Sequence, residues 1–402
     1  MDFTQRFVPT FRQDFKARDS GGFDRPRYLK LASELKDLIS LNSGDPDLTA
    51  APAAVEAAVE ALRTGKTHYV YRGLPELLEA LGRKLATENR VTVDPRTQLI
   101  VTNGSAEAAT AVFQTLLEPG DEVLTTDPYY SGHVGSILAA RGVPVLVPTS
   151  GDALWEPDPA EVEARITPRT KGFIFANPGN PSAAVYRRET LQALLDLAHR
   201  RNILMIPDEL FERYVYDGHR HISMASLPGA ADRVITLGGF SKSYCMTGWR
   251  LGWIAAPGWL AGILEQVRYA MSMAAGTPNQ WGAVAALSDA ARPYYAQVYR
   301  TYGERRGYFI QALTAAGLPQ QPTPGAFVGM VDIRRTGRTS SEVAEIFLRE
   351  GRVAMWPATA FGPHGEGWLR YGLVVPLDKL KEGMARLAPV IRTLLPSSAP
   401  RV

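Results

Sequence analysis

Between residues 98 and 255 the chain alternates short runs rich in aliphatic and β-branched residues with stretches of helical period, and that alternation restricts the fold more than any other feature. Residues 98–102, 122–125, 144–147, 172–176, 203–206, 233–237 and 251–255 read as strands, with helices over 106–117, 133–140 and 188–200 between them. The pattern predicts an α/β protein with a largely parallel sheet covered by helices on both faces. In such sheets ligands lie beyond the carboxyl ends of the strands. Every chemically suggestive loop of this chain follows an expected strand. The last third reads differently, with helices over 259–273 and 291–315, a strand over 326–331, a helix over 340–350, a strand over 367–375 and a final helix over 377–395. We expect a smaller α+β domain there, joined in space by the N-terminal arm. The expected division is an arm over 1–44 that belongs to the small domain, a large domain over 45–290 and a small domain over 291–402.

Composition narrows the function class. A chain of 402 residues suits two packed domains, and 45% apolar with 21% charged residues is the balance of a globular protein. A net charge of +3, with no long Lys/Arg block, argues against nucleic acid or a membrane surface as partner. The single cysteine, Cys245, excludes an intrachain disulfide framework and fits a reducing compartment. Residues 1–20 carry dispersed charges and no signal-like apolar core. The expected location is cytoplasmic.

The chemistry concentrates in Gly238-Gly239-Phe240-Ser241-Lys242, continued by Ser243-Tyr244-Cys245-Met246-Thr247-Gly248-Trp249-Arg250-Leu251-Gly252. Lys242 stands in a turn of small residues directly after the apolar run 234–237. A lysine amine forms a Schiff base with a carbonyl when its surroundings partly discharge the ammonium. Arg250, eight residues on, suits an anion, since guanidinium offers several donors to phosphate oxygens and keeps its charge. Together they point to pyridoxal 5'-phosphate.

Gly239 through Gly252 resembles the lysine signature of the class I/II aminotransferases of the aspartate aminotransferase fold (fold type I of the pyridoxal phosphate enzymes). Further landmarks of that family follow in order over nearly the whole chain. The resemblance implies a large domain with a mostly parallel seven-stranded sheet and a smaller α+β domain. It makes Lys242 the Schiff-base residue, Asp208 the partner of the pyridine nitrogen and Arg250, with Ser241, part of the phosphate site. In Asn103-Gly104-Ser105-Ala106, the amides of Gly104, Ser105 and Ala106 open a helix, where free N–H groups and the dipole favour an anion. Asn180, in Asn177-Pro178-Gly179-Asn180-Pro181, matches the asparagine that donates to the ring oxygen, although Ser182-Ala183 follows where the family usually has Thr-Gly. Tyr130, or its neighbour Tyr129, matches the aromatic on the ring face. Phe211 stands where the family commonly carries a tyrosine. Arg370, in Gly367-Trp368-Leu369-Arg370-Tyr371-Gly372, matches the arginine that holds the substrate α-carboxylate, and Gly44 the glycine whose backbone closes over it. Tyr69, with Tyr71 as the other candidate, resembles a tyrosine offered to the phosphate of a neighbouring subunit, which implies a homodimer with interfacial sites.

These roles imply an aminotransferase moving an amino group between an L-amino acid and a 2-oxo acid, with no metal. The alternative on the same scaffold is a lyase, decarboxylase or synthase acting on an amino acid, because fold alone leaves the reaction open. Ala106, where bacterial relatives acting on aspartate often carry lysine, weakens a dicarboxylate preference. Tyr28, Tyr69, Tyr129 and Trp281 are candidates for a more aromatic pocket. A regulator that kept the fold as an effector domain would need a DNA-binding module, for which the residues before Asn42 are too few.

Overall fold

The structure, a computed structural model, describes residues 23–396. The first 22 residues of the expected arm and the last six of the chain lie outside the described residues. The strands are β1 Ile39–Ser40, β2 Leu99–Thr102, β3 Glu122–Asp127, β4 Val143–Pro148, β5 Thr170–Ala176, β6 Leu204–Asp208, β7 Thr236–Gly239, β8 Gly252–Ala255, β9 Val328–Asp332, β10 Val353–Ala354, β11 Trp356–Pro357 and β12 Trp368–Gly372. Seven of them form one sheet in the order β2-β8-β7-β6-β5-β3-β4. All pairings are parallel except those of β8, which runs antiparallel to both β7 and β2. The reason lies in the link from β7 to β8: it carries the Lys242 turn and lacks the crossover helix that a parallel return requires.

Period-two alternation sends successive strand residues to opposite layers. Ile100, Ile174, Ile206 and Ile254 pack beneath Ala108 and Val112 of the helix Ser105–Leu116 and Leu260 and Leu264 of the helix Gly258–Ser272. On the other face Phe173, Phe175 and Met205 meet Leu191, Leu194 and Leu195 of the helix Arg188–Arg201, while Leu99, Val101 and Trp253 meet Leu77, Leu78 and Leu81 of the helix Pro75–Lys84. Both faces of the sheet are therefore covered, and the strand ends are left to carry polar side chains.

A second core joins Tyr28, Ala32, Ile39 and Leu41 to Val353, Ala354 and Leu387, so the described part of the arm packs with the C-terminal segment. The parallel pairing of β1 with β10 fixes that association. A three-stranded antiparallel sheet, β11-β12-β9, completes this body. The 25-residue helix Arg292–Ala316 is rooted in both cores: Tyr295, Val298 and Tyr302 belong to the first, Phe309, Leu313 and Ala316 to the second.

Two strands and three helices depart from the sequence expectations. The run 233–237 becomes β7 at Thr236–Gly239, with Val234 forming only an isolated bridge to Met205. The run 326–331 becomes β9 at Val328–Asp332, with Ala326 at a positive φ of 56° just before it. Helices Pro52–Arg63, Pro75–Lys84 and Thr277–Ala286 were not foreseen, although each opens with proline in its first turn. The first and third pack closely, a Cβ at Gly282 of the third falling 2.9 Å from Ala54 O of the first, and the small residues of the third give little apolar periodicity to detect.

Candidate active site

The Lys242 turn is anchored from both sides. Phe240 is fully buried and its amide donates to Leu251 O at 3.1 Å, while Ser243 Oγ donates to Leu210 O at 2.9 Å, tying the turn to the segment after β6. Ser241 is buried beside them. Lys242 is thus held with its Nζ donating to Gly44 O at 2.8 Å. Burial pushes its pKa from 10.5 down to about 8; Arg370 and Arg250 act in the same direction, and Asp45 and Asp208 oppose. This partly discharged amine is what a carbonyl-capturing lysine requires.

Arg250 adopts a left-handed conformation at φ 53°, and its guanidinium donates to Thr247 O at 2.9 Å and Asn103 O at 3.5 Å. Gly104 lies directly against it: a Cβ there would come within 2.5 Å of Arg250 Nη2, and φ is +83°. The positive φ calls for glycine, and the missing side chain lets the guanidinium lie against the backbone. The arginine therefore stands at the N-terminus of the helix Ser105–Leu116, beside the amides of Ser105 and Ala106. Cation, helix dipole and free amides converge on one point, which suits an anion.

Asp208 closes β6 and is buried. Its Oδ1 accepts from Leu210 N at 3.1 Å, and its Oδ2 lies 2.9 Å from His133 Nε2, the distance of a hydrogen bond donated by a protonated Nε2. His133, buried in the helix Ser131–Ala139, also meets Tyr130 edge-to-face at 5.2 Å. Sequence reasoning missed His133, because a lone histidine inside a helix carries no spacing signal of its own. Of the two adjacent tyrosines, Tyr130 lines the cavity in front of Asp208, whereas Tyr129 packs into a small core with Val134 and Leu138. Asn180 also faces the cavity, and its Oδ1 is buried without a hydrogen-bond partner among the described residues. Phe211 forms the wall next to it, edge-on to Phe327 at 5.1 Å.

Opposite Lys242, Arg370 projects from β12. It is buried, its Nη1 donates to Asn42 O at 2.9 Å and Ser43 O at 3.0 Å, and its Nε has no partner among the described residues. Burial lowers its pKa to about 10. Gly44 lies against it, since a Cβ there would meet Nη2 at 2.7 Å. The cavity measures about 320 Å³ and brings together Gly44, Tyr130, Asn180, Asp208, Phe211, Lys242 and Arg370. Gly104, Ser105, Ala106, Ser241 and Arg250 sit beside it rather than on its wall. Tyr69 does not reach it: the ring is 67% exposed and stacks on Tyr71 at 6.2 Å.

The aromatic wall differs from the sequence expectation. Tyr28, Tyr129 and Trp281 do not line the cavity; Trp356 and Phe361 do, together with Arg25. Tyr28 donates to Met355 O at 2.7 Å and supports Trp356 from behind at 5.3 Å, whereas Trp281 packs elsewhere beneath Lys66. Phe361 is placed by the loop that follows β11, which is tied to the end of β3 by Tyr129 N donating to Phe361 O at 2.7 Å and by His364 Nδ1 at 2.6 Å from Asp127 Oδ2. These residues come from the arm and the C-terminal body, so no local motif announced them.

Known proteins resemble this chain over most of its length. Residues 36–387 match the family model for aminotransferase class I and II. An aspartate aminotransferase of Pyrococcus abyssi is 37% identical over 91% of this chain and 95% of its own length. An aromatic-amino-acid aminotransferase of Thermococcus litoralis is 36% identical over the same shares, 91% and 95%. Among solved structures, a double mutant of Thermus thermophilus aspartate aminotransferase superposes with a TM-score of 0.85 at 34% identity, covering 91% of this chain and 94% of that one. None of these supports a lyase over a transferase.

Proposed function

The chain belongs to the class I and II aminotransferases, and from that premise we propose that it exchanges an amino group between an L-amino acid and a 2-oxo acid on pyridoxal phosphate bound to Lys242. The observation that carries the cofactor reading is the meeting of a Lys242 amine whose pKa is lowered by burial with the Asp208 carboxylate in one cavity, beside an anion cradle. The residues fit the cofactor. Arg250, Gly104, Ser105, Ala106 and Ser241 would hold its phosphate. Asp208, oriented by His133, would keep the ring nitrogen protonated. The side-chain amide of Asn180 would reach the ring oxygen, and Tyr130 and Phe211 would border the ring. When bound, pyridoxal phosphate supplies a sink for the electron pair released at the substrate α-carbon.

What the protein contributes is binding, orientation and proton transfer. Arg370 pairs with the substrate α-carboxylate in a buried setting, where a guanidinium–carboxylate contact is strong and fixes orientation. Gly44 admits that carboxylate by leaving room above the guanidinium. Lys242 Nζ faces the same cavity as Arg370 and would act as the general base that takes the substrate α-proton and hands it back, a role suited to an amine whose pKa burial has lowered.

The outer surface offers a face for a second copy of the chain. Tyr69, Tyr71, Tyr269, Met271 and Met273 are exposed, and Tyr71 meets Tyr269 at 5.5 Å, so an aromatic and methionine patch faces outward. We assign it to a homodimer in which Tyr69 reaches the partner's phosphate site. Among the described residues no helix is long and apolar enough to cross a membrane. The single free cysteine, Cys245, supports a cytoplasmic place of work.

The test is covalent. Borohydride reduction of the loaded protein should fix the cofactor on the peptide containing Lys242, read by mass spectrometry, and Lys242→Ala should lose both the adduct and transamination. An adduct on another lysine would overturn the assignment.

A further inference from the structure

The cavity wall holds a second cation that the reaction as described leaves unused. Arg25 is the first residue of the helix Arg25–Ser33 and lines the same cavity as Arg370. Its guanidinium lies 5.6 Å from the ring centre of Phe361 and 5.8 Å from that of Trp356, and the Arg370 guanidinium lies 5.9 Å from the same Phe361 ring. One of its donors is used, Nη2 to Ala360 O at 2.9 Å, while Nε is buried with no partner. Among the described residues neither arginine has a carboxylate within ion-pair distance. The neighbouring Arg27, by contrast, is paired with Glu345 at 2.9 Å.

Two partly or fully buried guanidiniums facing one cavity, both without an acidic partner, repel each other and demand anions. Arg370 is matched to the α-carboxylate. We propose that Arg25 binds the distal carboxylate of a dicarboxylic amino acid or oxo acid, with Phe361 and Trp356 holding its guanidinium plane from the sides. The inference rests on the aminotransferase reading for its substrate. It reverses the weight that Ala106 gave against dicarboxylates, because the second cation comes from the arm instead of the helix opened by Ser105.

The experiment measures binding as well as turnover, using the holoenzyme and three variants: Arg25→Leu, Arg25→Lys and Arg25→Gln. Calorimetry with maleate, an unreactive dicarboxylate, and with 3-phenylpropionate, an unreactive monocarboxylate, gives affinities that do not depend on chemistry. Removing a charge-assisted pair should weaken maleate about 10- to 100-fold in Arg25→Leu and Arg25→Gln, with partial recovery in Arg25→Lys. The monocarboxylate should change by less than about threefold, within the scatter of surface effects. kcat/KM for glutamate should fall in parallel, and that for phenylalanine should not. Equal losses for both ligands would reduce Arg25 to a structural prop of the Ala360 loop, and no loss for either would remove it from the site; both results overturn the proposal. Arg25-dependent maleate binding without transamination of any amino acid would uphold the proposal while refuting the reaction.

Discussion

At the scale of single residues, environment rather than identity sets the chemistry. Lys242 is an ordinary lysine until burial brings its pKa to about 8, so below that pH the amine is protonated and above it is free to attack. Capture of pyridoxal phosphate by the apoprotein should accelerate about tenfold per pH unit up to a midpoint near 8 and then level off. Stopped-flow absorbance across the pH range measures this, and a midpoint near the unperturbed 10.5 would contradict the burial argument. Phe211 makes the opposite point, through a group that is missing. A tyrosine there would place a hydroxyl on the wall shared with Asn180 and donate to the cofactor's ring oxygen. That donation favours the anionic oxygen, so in Phe211→Tyr the midpoint of the bound cofactor's pH-dependent absorbance change should drop by about one unit. An unchanged or raised midpoint refutes it. Lys242 was legible from its own surroundings, a small-residue turn directly after an apolar run, whereas Asp208 and Arg370 were legible only through the family resemblance, since an acid or an arginine at a strand end carries no distinctive signal of its own. His133 and Arg25 were not, since their roles arise only from what lies across the fold.

At the scale of elements, the phosphate cradle depends on how closely β8 approaches the helix Ser105–Leu116. Gly252 opens β8, and a Cβ there would sit 2.6 Å from Gly104 C and 2.7 Å from Ser105 N, both backbone atoms that cannot swing aside. Gly252→Ala should therefore push the helix start away, costing about 1–3 kcal/mol in urea denaturation by overpacking and weakening cofactor affinity with it. Gly248→Ala, two residues before Arg250 with nothing within 4 Å of its Cβ position, is the matched control and should shift stability by less than about 0.5 kcal/mol. Equal behaviour of the two variants would refute the close-approach argument. The strands that carry this approach were readable from their apolar runs. The helix Thr277–Ala286 escaped because Gly282, Ala283 and Ala286 pack by smallness and mark no strong stripe, whereas Pro52–Arg63 carries an apolar stripe that went unread. The antiparallel sense of β8 escaped too, being a property of connection length and not of the strand's own residues.

At the scale of the whole molecule, Tyr69 belongs to no site of its own chain, and its assignment to the partner's site has a distinct signature. Homodimers of Tyr69→Ala should load cofactor poorly, and Lys242→Ala homodimers should be inactive. Mixing and re-associating the two should create hybrids with one complete site, Lys242 from one chain and Tyr69 from the other, so activity should rise above that of either parent. Activity that never exceeds the weighted parental mean would place Tyr69 outside the reaction. The loop 42–44 carries another whole-molecule consequence. Its carbonyls already serve as acceptors for both cations, Asn42 O and Ser43 O for Arg370 and Gly44 O for Lys242. Only Nη1 of Arg370 is spent in this way, and Nε keeps no partner among the described residues. An arriving carboxylate therefore meets a cation that the backbone has already aimed and that still has donors to give. The loop acts as a jig, setting both cations at their working positions before there is anything for them to hold.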